Sequence, residues 1–314
     1  MRNLNISFMA RQKIKNKYVF LGDSNSINIE LVVKSFNYLK NKVNYILICN
    51  KRDLYNNQYF RKSKLKINEV IDPISFRNYK KKSLNIFNVE NKSNKKYLIL
   101  LNQIKVSNDL ANITNFDLVT MPINKDIFIK KIKFIGMTEL LGELNKRSTI
   151  MLMYGDKFSV IPITTHINIK NVHKQIINSS SLKNFLKNIF INLRNKNLNI
   201  DIKEIKFLCY NPHCGEKGSL GKEDILIKKI IKNFKKIKGP YPADSAFNKI
   251  NKGTLFISTY HDQVLIPFKI LNKKSFNMTL GLNYRRLSPA HGTAKDIKQK
   301  YIANNYSYLT CLLC

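Results

Sequence analysis

The sequence predicts an α/β protein built on a mostly parallel sheet with helices on both faces, and three observations carry that prediction. A short apolar run, Tyr18 to Leu21, leads into the turn Gly22-Asp23-Ser24-Asn25-Ser26, a stretch with apolar residues at helical spacing from about Ile29 to Leu39, and a second apolar run, Tyr45 to Cys49. Strand, turn, helix, strand is a βαβ unit, whose crossover makes its two strands parallel. Further apolar runs of strand length recur to the end of the chain, and several stop abruptly in polar clusters. Finally, 314 residues at 44% hydrophobic supply a sizeable core, enough for one large or two medium domains.

Taken in order, residues 51 to 96 are the least legible part, rich in Lys and Asn, and read as a short hairpin or variable loop. Tyr97 to Leu101 is an apolar run of strand length. Phe116 to Thr120 reads as a strand that stops at Met121-Pro122-Ile123-Asn124-Lys125, because proline cannot continue a ladder. Ser159 to Thr164 delivers Thr164-Thr165-His166 at its carboxyl end, the end at which open α/β sheets bind ligands. A basic helix over about Ser181 to Asn195 follows. Ile205 to Tyr210 ends in Asn211-Pro212-His213-Cys214-Gly215-Glu216, and Leu255 to Thr259 ends in Tyr260-His261-Asp262-Gln263.

Composition excludes several classes. The formal net charge of +35 suggests nucleic acid at first sight. Yet the chain holds 41 Asn, abounds in Lys and Ile and lacks Trp, the pattern that an A/T-rich genome produces without any basic partner. A nucleic-acid binder would cluster Lys and Arg with interleaved aromatics, whereas Lys is scattered here. No specific nucleic acid is therefore expected. No run approaches the ~20 apolar residues that cross a bilayer, and Met1 to Arg11 lacks a signal-peptide core, so no membrane and a cytoplasmic location are expected. Five Cys fit a reducing compartment, and Cys311-Leu312-Leu313-Cys314 reads as a buried C-terminal helix turn rather than a redox or prenylation motif.

Of the five His, three follow strand-like runs: His166, His213 and His261. Imidazole is a good neutral ligand for a divalent transition metal, and a three-His set leaves coordination positions open for substrate oxygens. Asp262, beside His261, suits the orientation of a ring. His173 reads as a loop or helix-face residue, and His291, in His291-Gly292-Thr293-Ala294, reads as a turn into a helix, a place to meet an anion.

The order of motifs resembles the 4-hydroxythreonine-4-phosphate dehydrogenase family of vitamin B6 biosynthesis. The resemblance is carried by Gly22-Asp23, Met121-Pro122-Ile123-Asn124-Lys125, Thr164-Thr165-His166, Asn211-Pro212-His213-Cys214-Gly215-Glu216, Gly239-Pro240-Tyr241-Pro242-Ala243-Asp244, Tyr260-His261-Asp262-Gln263 and Thr279-Leu280-Gly281-Leu282. It implies an isocitrate/isopropylmalate dehydrogenase-like fold of two α/β/α lobes around a cleft, with residues 1–128 plus 290–314 as the cofactor lobe and 129–289 as the metal and dimer lobe. It also implies NAD or NADP, a divalent metal (zinc, with cobalt or magnesium as others), and a homodimer sharing its active site. The implied metal ligands are His166, His213 and His261; the substrate contacts are Thr138, Lys269, Asn277 and Arg286, with Lys269 and Asp262 as catalytic groups and Asn124, Lys125 and His291 as cofactor candidates. The implied reaction oxidises 4-phosphohydroxythreonine, a small anionic substrate, at its C3 hydroxyl and decarboxylates it to 3-amino-2-oxopropyl phosphate.

Four positions depart from the family pattern. Met137 stands where the pattern has His beside Thr138, Val264 stands where it has Gly, Ala290 replaces Asp, and the first turn has lost its later glycines and prolines. Asn tolerates positive φ, so Asn25 and Asn28 are expected to preserve the path of that turn, and Val264 is expected to carry strain if a positive φ is needed there. Met137 also opens an alternative substrate, a four-carbon phosphorylated sugar acid such as threonate or erythronate phosphate.

Overall fold

The computed structural model describes residues 16–91 and 93–314, apart from the side chain at position 196. Met1 to Arg11, read above for a targeting signal, lie outside the described residues. Two compact units divide the chain, one running to Met121 and including Thr293–Asn305, the other holding Pro122–Gly292 and Tyr306–Leu312.

The first unit contains β1 (Asn16–Phe20), α1 (Asn28–Leu39), β2 (Asn44–Cys49), α2 (Lys51–Tyr55), α3 (Gln58–Ser63), β3 (Ile67–Glu69), β4 (Leu84–Asn88), α4 (Lys96–Thr114) and β5 (Asp117–Thr120). Its strand order is β3-β4-β2-β1-β5, and every neighbouring pair is parallel. Tyr18, Val19 and Phe20 are fully buried, as expected of a parallel strand covered on both faces. Even Lys17 is buried, paired with Asp117 at 2.9 Å across the β1/β5 register.

β1 exits through Gly22, whose φ of +75° favours glycine. Beyond it the turn is held by side chains: the Asn25 amide donates to Asp23 Oδ1 (2.9 Å), Asn28 Nδ2 donates to the Leu21 carbonyl (2.8 Å), and the Asn28 amide donates to Ser26 Oγ (3.1 Å). Neither Asn25 nor Asn28 has a positive φ. They keep the path by hydrogen bonding and not, as the sequence suggested, by left-handed backbone.

Among the described residues of 51–96 the strands form no hairpin; β3 and β4 are parallel neighbours. Tyr97 to Leu101 belongs to α4, which buries Leu100, Gln103, Ile104, Ser107, Leu110 and Ala111 at spacings of three and four. A five-residue apolar run does not distinguish strand from helix, and here the longer period decides. The abundant Asn is put to use: Asn50, Asn57, Asn124, Asn168 and Asn178 all accept a backbone N–H at helix starts.

The second unit contains α5 (Met137–Leu144), β6 (Ile150–Gly155), β7 (Phe158–Pro162), α6 (Val172–Ile177), α7 (Ser179–Leu193), β8 (Glu204–Leu208), α8 (Glu223–Ile231), β9 (Ile237–Tyr241), β10 (Thr254–Ser258), α9 (His261–Leu271), β11 (Ser275–Leu280), β12 (Arg286–Pro289) and α10 (Tyr306–Leu313). Its order is β12-β11-β6-β7-β10-β8-β9. The side from β7 to β9 is parallel, while β12/β11, β11/β6 and β6/β7 are antiparallel. β6 and β7 are joined by a tight turn, which permits only antiparallel pairing. Phe158 is met edge-on by Phe256 and Phe268 at ring distances of 5.4 and 5.7 Å. Val264 is fully buried in this core, on α9 and without a positive φ, so the strain expected there is absent. Cys311 is buried in α10, and no helix among the described residues is long and apolar enough to cross a membrane.

Candidate active site

Two strand exits of the second unit build its chemical corner. β7 and β10 are parallel neighbours, and Thr164 Oγ1 donates to the Thr259 carbonyl at 2.8 Å, locking the exits together. Two residues beyond Thr164 comes His166; Tyr260 caps α9 in extended conformation, so His261 is that helix's first residue. The two imidazole rings lie 6.0 Å apart, centroid to centroid.

A carboxylate stands behind each ring. Asp262 Oδ1 is 2.9 Å from His261 Nδ1, and Glu139 Oε1 is 3.8 Å from His166 Nδ1. Thr165 Oγ1 also donates to Glu139 Oε1, at 3.4 Å. A carboxylate on Nδ1 orients the ring and leaves Nε2 as the ligating nitrogen, the arrangement that suits a bound divalent cation. Gly136 permits this corner: a Cβ there would lie 2.5 Å from Glu139 Oε2 and 3.5 Å from His166 Cε1. Burial by itself would raise the Glu139 carboxyl, but the neighbouring His166 ring, its own amide and the charge of Lys125 outweigh it and hold the group below its ordinary value.

His213 does not join the pair. It is exposed, on a left-handed turn after β8, with φ +48°. Among the described residues no three His, Cys, Asp or Glu side chains converge to hold a metal ion. Within one chain the described residues bring His166 and His261 together without His213, which follows β8 on the flank of β10 opposite β7.

A second group lies on β11, β12 and α5. Thr279 and Arg286 face each other across the β11/β12 register, Arg286 Nη1 donates to Thr279 Oγ1 (3.0 Å) and Thr138 Oγ1 (3.4 Å), and the two hydroxyls are 3.1 Å apart. Arg286 is buried, and desolvation pulls its guanidinium down to about 10. Asn277, two residues before Thr279, carries a buried Oδ1 without a partner, as does Glu139 at Oε2. Buried acceptors of this kind ask for a donor from a ligand or water. Met137 is half-buried at the start of α5 and brings no polar atom to this wall. Lys269 stands apart, exposed and eight residues along α9 from His261, about 12 Å along the axis.

The cofactor candidates sit as follows. Asn124 caps a short 3-10 turn, Lys125 Nζ donates to the Ile135 carbonyl (2.8 Å), and His291 Nδ1 lies 2.9 Å from the Gly292 carbonyl with Nε2 buried and unpartnered. Burial lowers the His291 imidazolium, favouring the neutral ring. The expected turn into a helix after His291 is corrected: only the three-residue 3-10 segment Lys295–Ile297 follows, too short to present an N-terminal anion site. In the first unit, a cleft of about 420 Å³ opens at the β1 exit, lined by Ser24, Asn25, Glu30, Asp53, Arg61 and Lys298 among others.

Glu139 and Thr279 were not singled out from the sequence, although both lie in quoted or adjacent motif positions. The available signal for Glu139 was the scarcity of acids, 20 in the whole chain.

Comparison with known proteins agrees with this architecture. The model of the family described as pyridoxal phosphate biosynthetic protein PdxA matches residues 32–314. The 4-hydroxythreonine-4-phosphate dehydrogenase of Aquifex aeolicus is 33% identical over 327 aligned positions, covering 94% of this chain and 95% of that protein. The crystal structure of the Klebsiella pneumoniae 4-hydroxythreonine-4-phosphate dehydrogenase superposes with a TM-score of 0.77 at 22% identity, covering 95% of this chain and 97% of that one, and so shares the fold. A terephthalate 1,2-cis-dihydrodiol dehydrogenase from Burkholderia xenovorans superposes with a TM-score of 0.60 at 17% identity, over 95% of this chain and 96% of that one, so the fold also houses other dehydrogenases. With nearly its whole length matched by the family model and by a relative at 33% identity, the chain belongs to the 4-hydroxythreonine-4-phosphate dehydrogenase (PdxA) family.

Proposed function

We propose that this dehydrogenase oxidises 4-phosphohydroxythreonine at its C3 hydroxyl with NAD or NADP and a divalent metal, releasing carbon dioxide and 3-amino-2-oxopropyl phosphate for pyridoxal phosphate synthesis. The observation that carries the proposal is the His166 and His261 pair, 6.0 Å apart with a carboxylate behind each Nδ1. His166 and His261 would hold a zinc, cobalt or magnesium ion, which would supply a Lewis acid for the substrate hydroxyl, and a bound nicotinamide would supply the hydride acceptor. Zinc suits imidazole best.

The remaining roles belong to the chain. Asp262 and Glu139 fix ring orientation. Thr138, Asn277 and Arg286 receive the anionic and hydroxyl groups of the substrate, the planar guanidinium matching a carboxylate or phosphate. Lys269 adds a mobile cation for the phosphate. His213 completes the ligand set from a second copy of the chain, which makes the working enzyme a homodimer in this reading. The polar cleft of the first unit suits the ribose and phosphates of the cofactor. A cytoplasmic location fits a biosynthetic step on a phosphorylated metabolite, and the positive charge is surface composition rather than a nucleic-acid site.

The apolar Met137 at the substrate wall favours one other reading, a four-carbon phosphorylated sugar acid as substrate. Both are tested together by following reduced nicotinamide with each substrate, in wild type and Met137→His. The proposal expects turnover of 4-phosphohydroxythreonine by wild type and more by the variant. Turnover of the sugar acid alone, in both proteins, overturns it.

A further inference from the structure

The loop that carries His213 also carries an arrangement unconnected to substrate. Cys209 follows β8 directly and Cys214 follows His213; their Cα atoms are 5.0 Å apart, inside the range that a disulfide spans, and their Sγ atoms are joined. The five cysteines thus include a bonded pair, where the sequence suggested thiols only. Cys49 and Cys311 are buried and Cys314 is half-buried. Burial pushes the Cys49 thiol far up, which keeps it from acting as a nucleophile.

The backbone between these cysteines and α8 is costly. His213, Cys214, Gly215, Glu216 and Lys217 have φ of +48°, +56°, +74°, +44° and +59°, a left-handed run in which only one residue is glycine. Such a conformation is unfavourable for a non-glycine residue, so it persists only where the surroundings hold it. Asp224 accepts the amides of Tyr210 (2.7 Å) and Asn211 (2.9 Å), and Asn211 Nδ2 donates to Glu223 Oε2 (2.9 Å). These contacts hold the entry to the loop. The left-handed residues themselves are tied back at Cys214, to a buried Cys209 whose amide donates to the Tyr241 carbonyl (2.9 Å) and whose carbonyl accepts from Gln263 Nε2 (2.6 Å).

We propose that Cys209 and Cys214 form a reversible thiol–disulfide site that clamps the His213 loop when oxidised and releases it when reduced, with a low-molecular-weight disulfide of the glutathione class as oxidant. Cys214, half-buried on the loop, attacks the oxidant as a thiolate, forming a mixed disulfide and expelling one oxidant thiolate. The Cys209 thiolate then attacks Cys214 Sγ, closing the ring and expelling the second. Two protein thiols are oxidised, one oxidant disulfide is reduced to two thiols, and the protons pass to the leaving thiolates. His213 lies inside the closed ring, so its placement follows the state of the pair. The inference concerns the loop alone and stands whichever substrate the enzyme takes.

The test uses the full-length protein, reduced with dithiothreitol and then exposed to glutathione disulfide. Alkylation in denaturant followed by mass spectrometry should count all five thiols in the reduced form and three in the oxidised form, with one bridged peptide containing Cys209 and Cys214. Dithiothreitol should restore the count. Amide exchange over residues 210–218 should be slower by roughly tenfold or more in the oxidised protein, and Cys214→Ser should abolish that difference. Five thiols surviving the oxidant, a bond mapped to Cys314, or equal exchange in the two wild-type states overturns the proposal, and none of these outcomes needs a variant to fold.

Discussion

The His166/His261 corner and the His213 loop both follow strands of one sheet, yet they are built on different principles. The corner is assembled from ordinary backbone: an extended cap, a helix start and the Thr164 to Thr259 hydrogen bond at 2.8 Å. Its rings are oriented by carboxylates that lie next to them or on α5. The His213 loop instead spends backbone energy on a left-handed run and depends on clamps outside it. The corner stands as a pre-built pair, whereas the loop can be moved by anything that loosens a clamp.

The largest effect that would break this comparison comes from the corner. His166→Ala or His261→Ala should abolish zinc retention after dialysis and lower turnover by on the order of 100-fold or more, beyond the range typical of outer partners. A variant that retains both zinc and turnover removes the pair from the mechanism. Glu139→Gln should weaken metal affinity or activity by about 10–100-fold, since it keeps the shape and loses the charge behind His166. Equilibrium dialysis against wild type measures it.

On the loop side, Asp224→Ala strips two amides of their acceptor and should cost about 1–3 kcal/mol in urea unfolding, with exchange rising first at residues 210–218. If the loss is spread evenly over the chain, the loop has no separate stability. The smallest effect is a pH dependence at the base of β8. Glu204 accepts from Thr254 Oγ1 at 2.7 Å, and that hydrogen bond, with Lys206 and Asn251, holds its carboxyl below the ordinary value. A depressed folded pKa stabilises the protein above the ordinary glutamate range and ceases to do so as pH falls through the folded value. Thermal melts of wild type and Glu204→Gln should therefore differ near neutrality and converge in acid.

Much of the fold was legible because it is locally encoded. Tyr18 to Leu21, Tyr45 to Cys49 and the runs before His213 and His261 are apolar segments bounded by turn residues, and their positions hold to within a residue or two. Residues 51–96 were not legible, because the short β4 is held by pairing with β2, a partner many residues away, and β3 in turn by pairing with β4. Tyr97 to Leu101 misled for a related reason: its helical period emerges only over the full length of α4. At the site, Asp262 was visible beside His261, whereas Glu139 reaches His166 from another element, and nothing in the neighbourhood of His166 announces it.

The sequence by itself determined the class of the protein: strands that end in histidine, in an order shared with one enzyme family, written by local hydrophobic patterning and motif chemistry. Tertiary structure alone decided which of these residues meet. It set His166 against His261 and left His213 outside, placed Arg286 between Thr138 and Thr279, and joined Cys209 to Cys214. Such meetings depend on strand order, register and the sign of φ in a loop, and those are settled by contacts between distant parts of the chain.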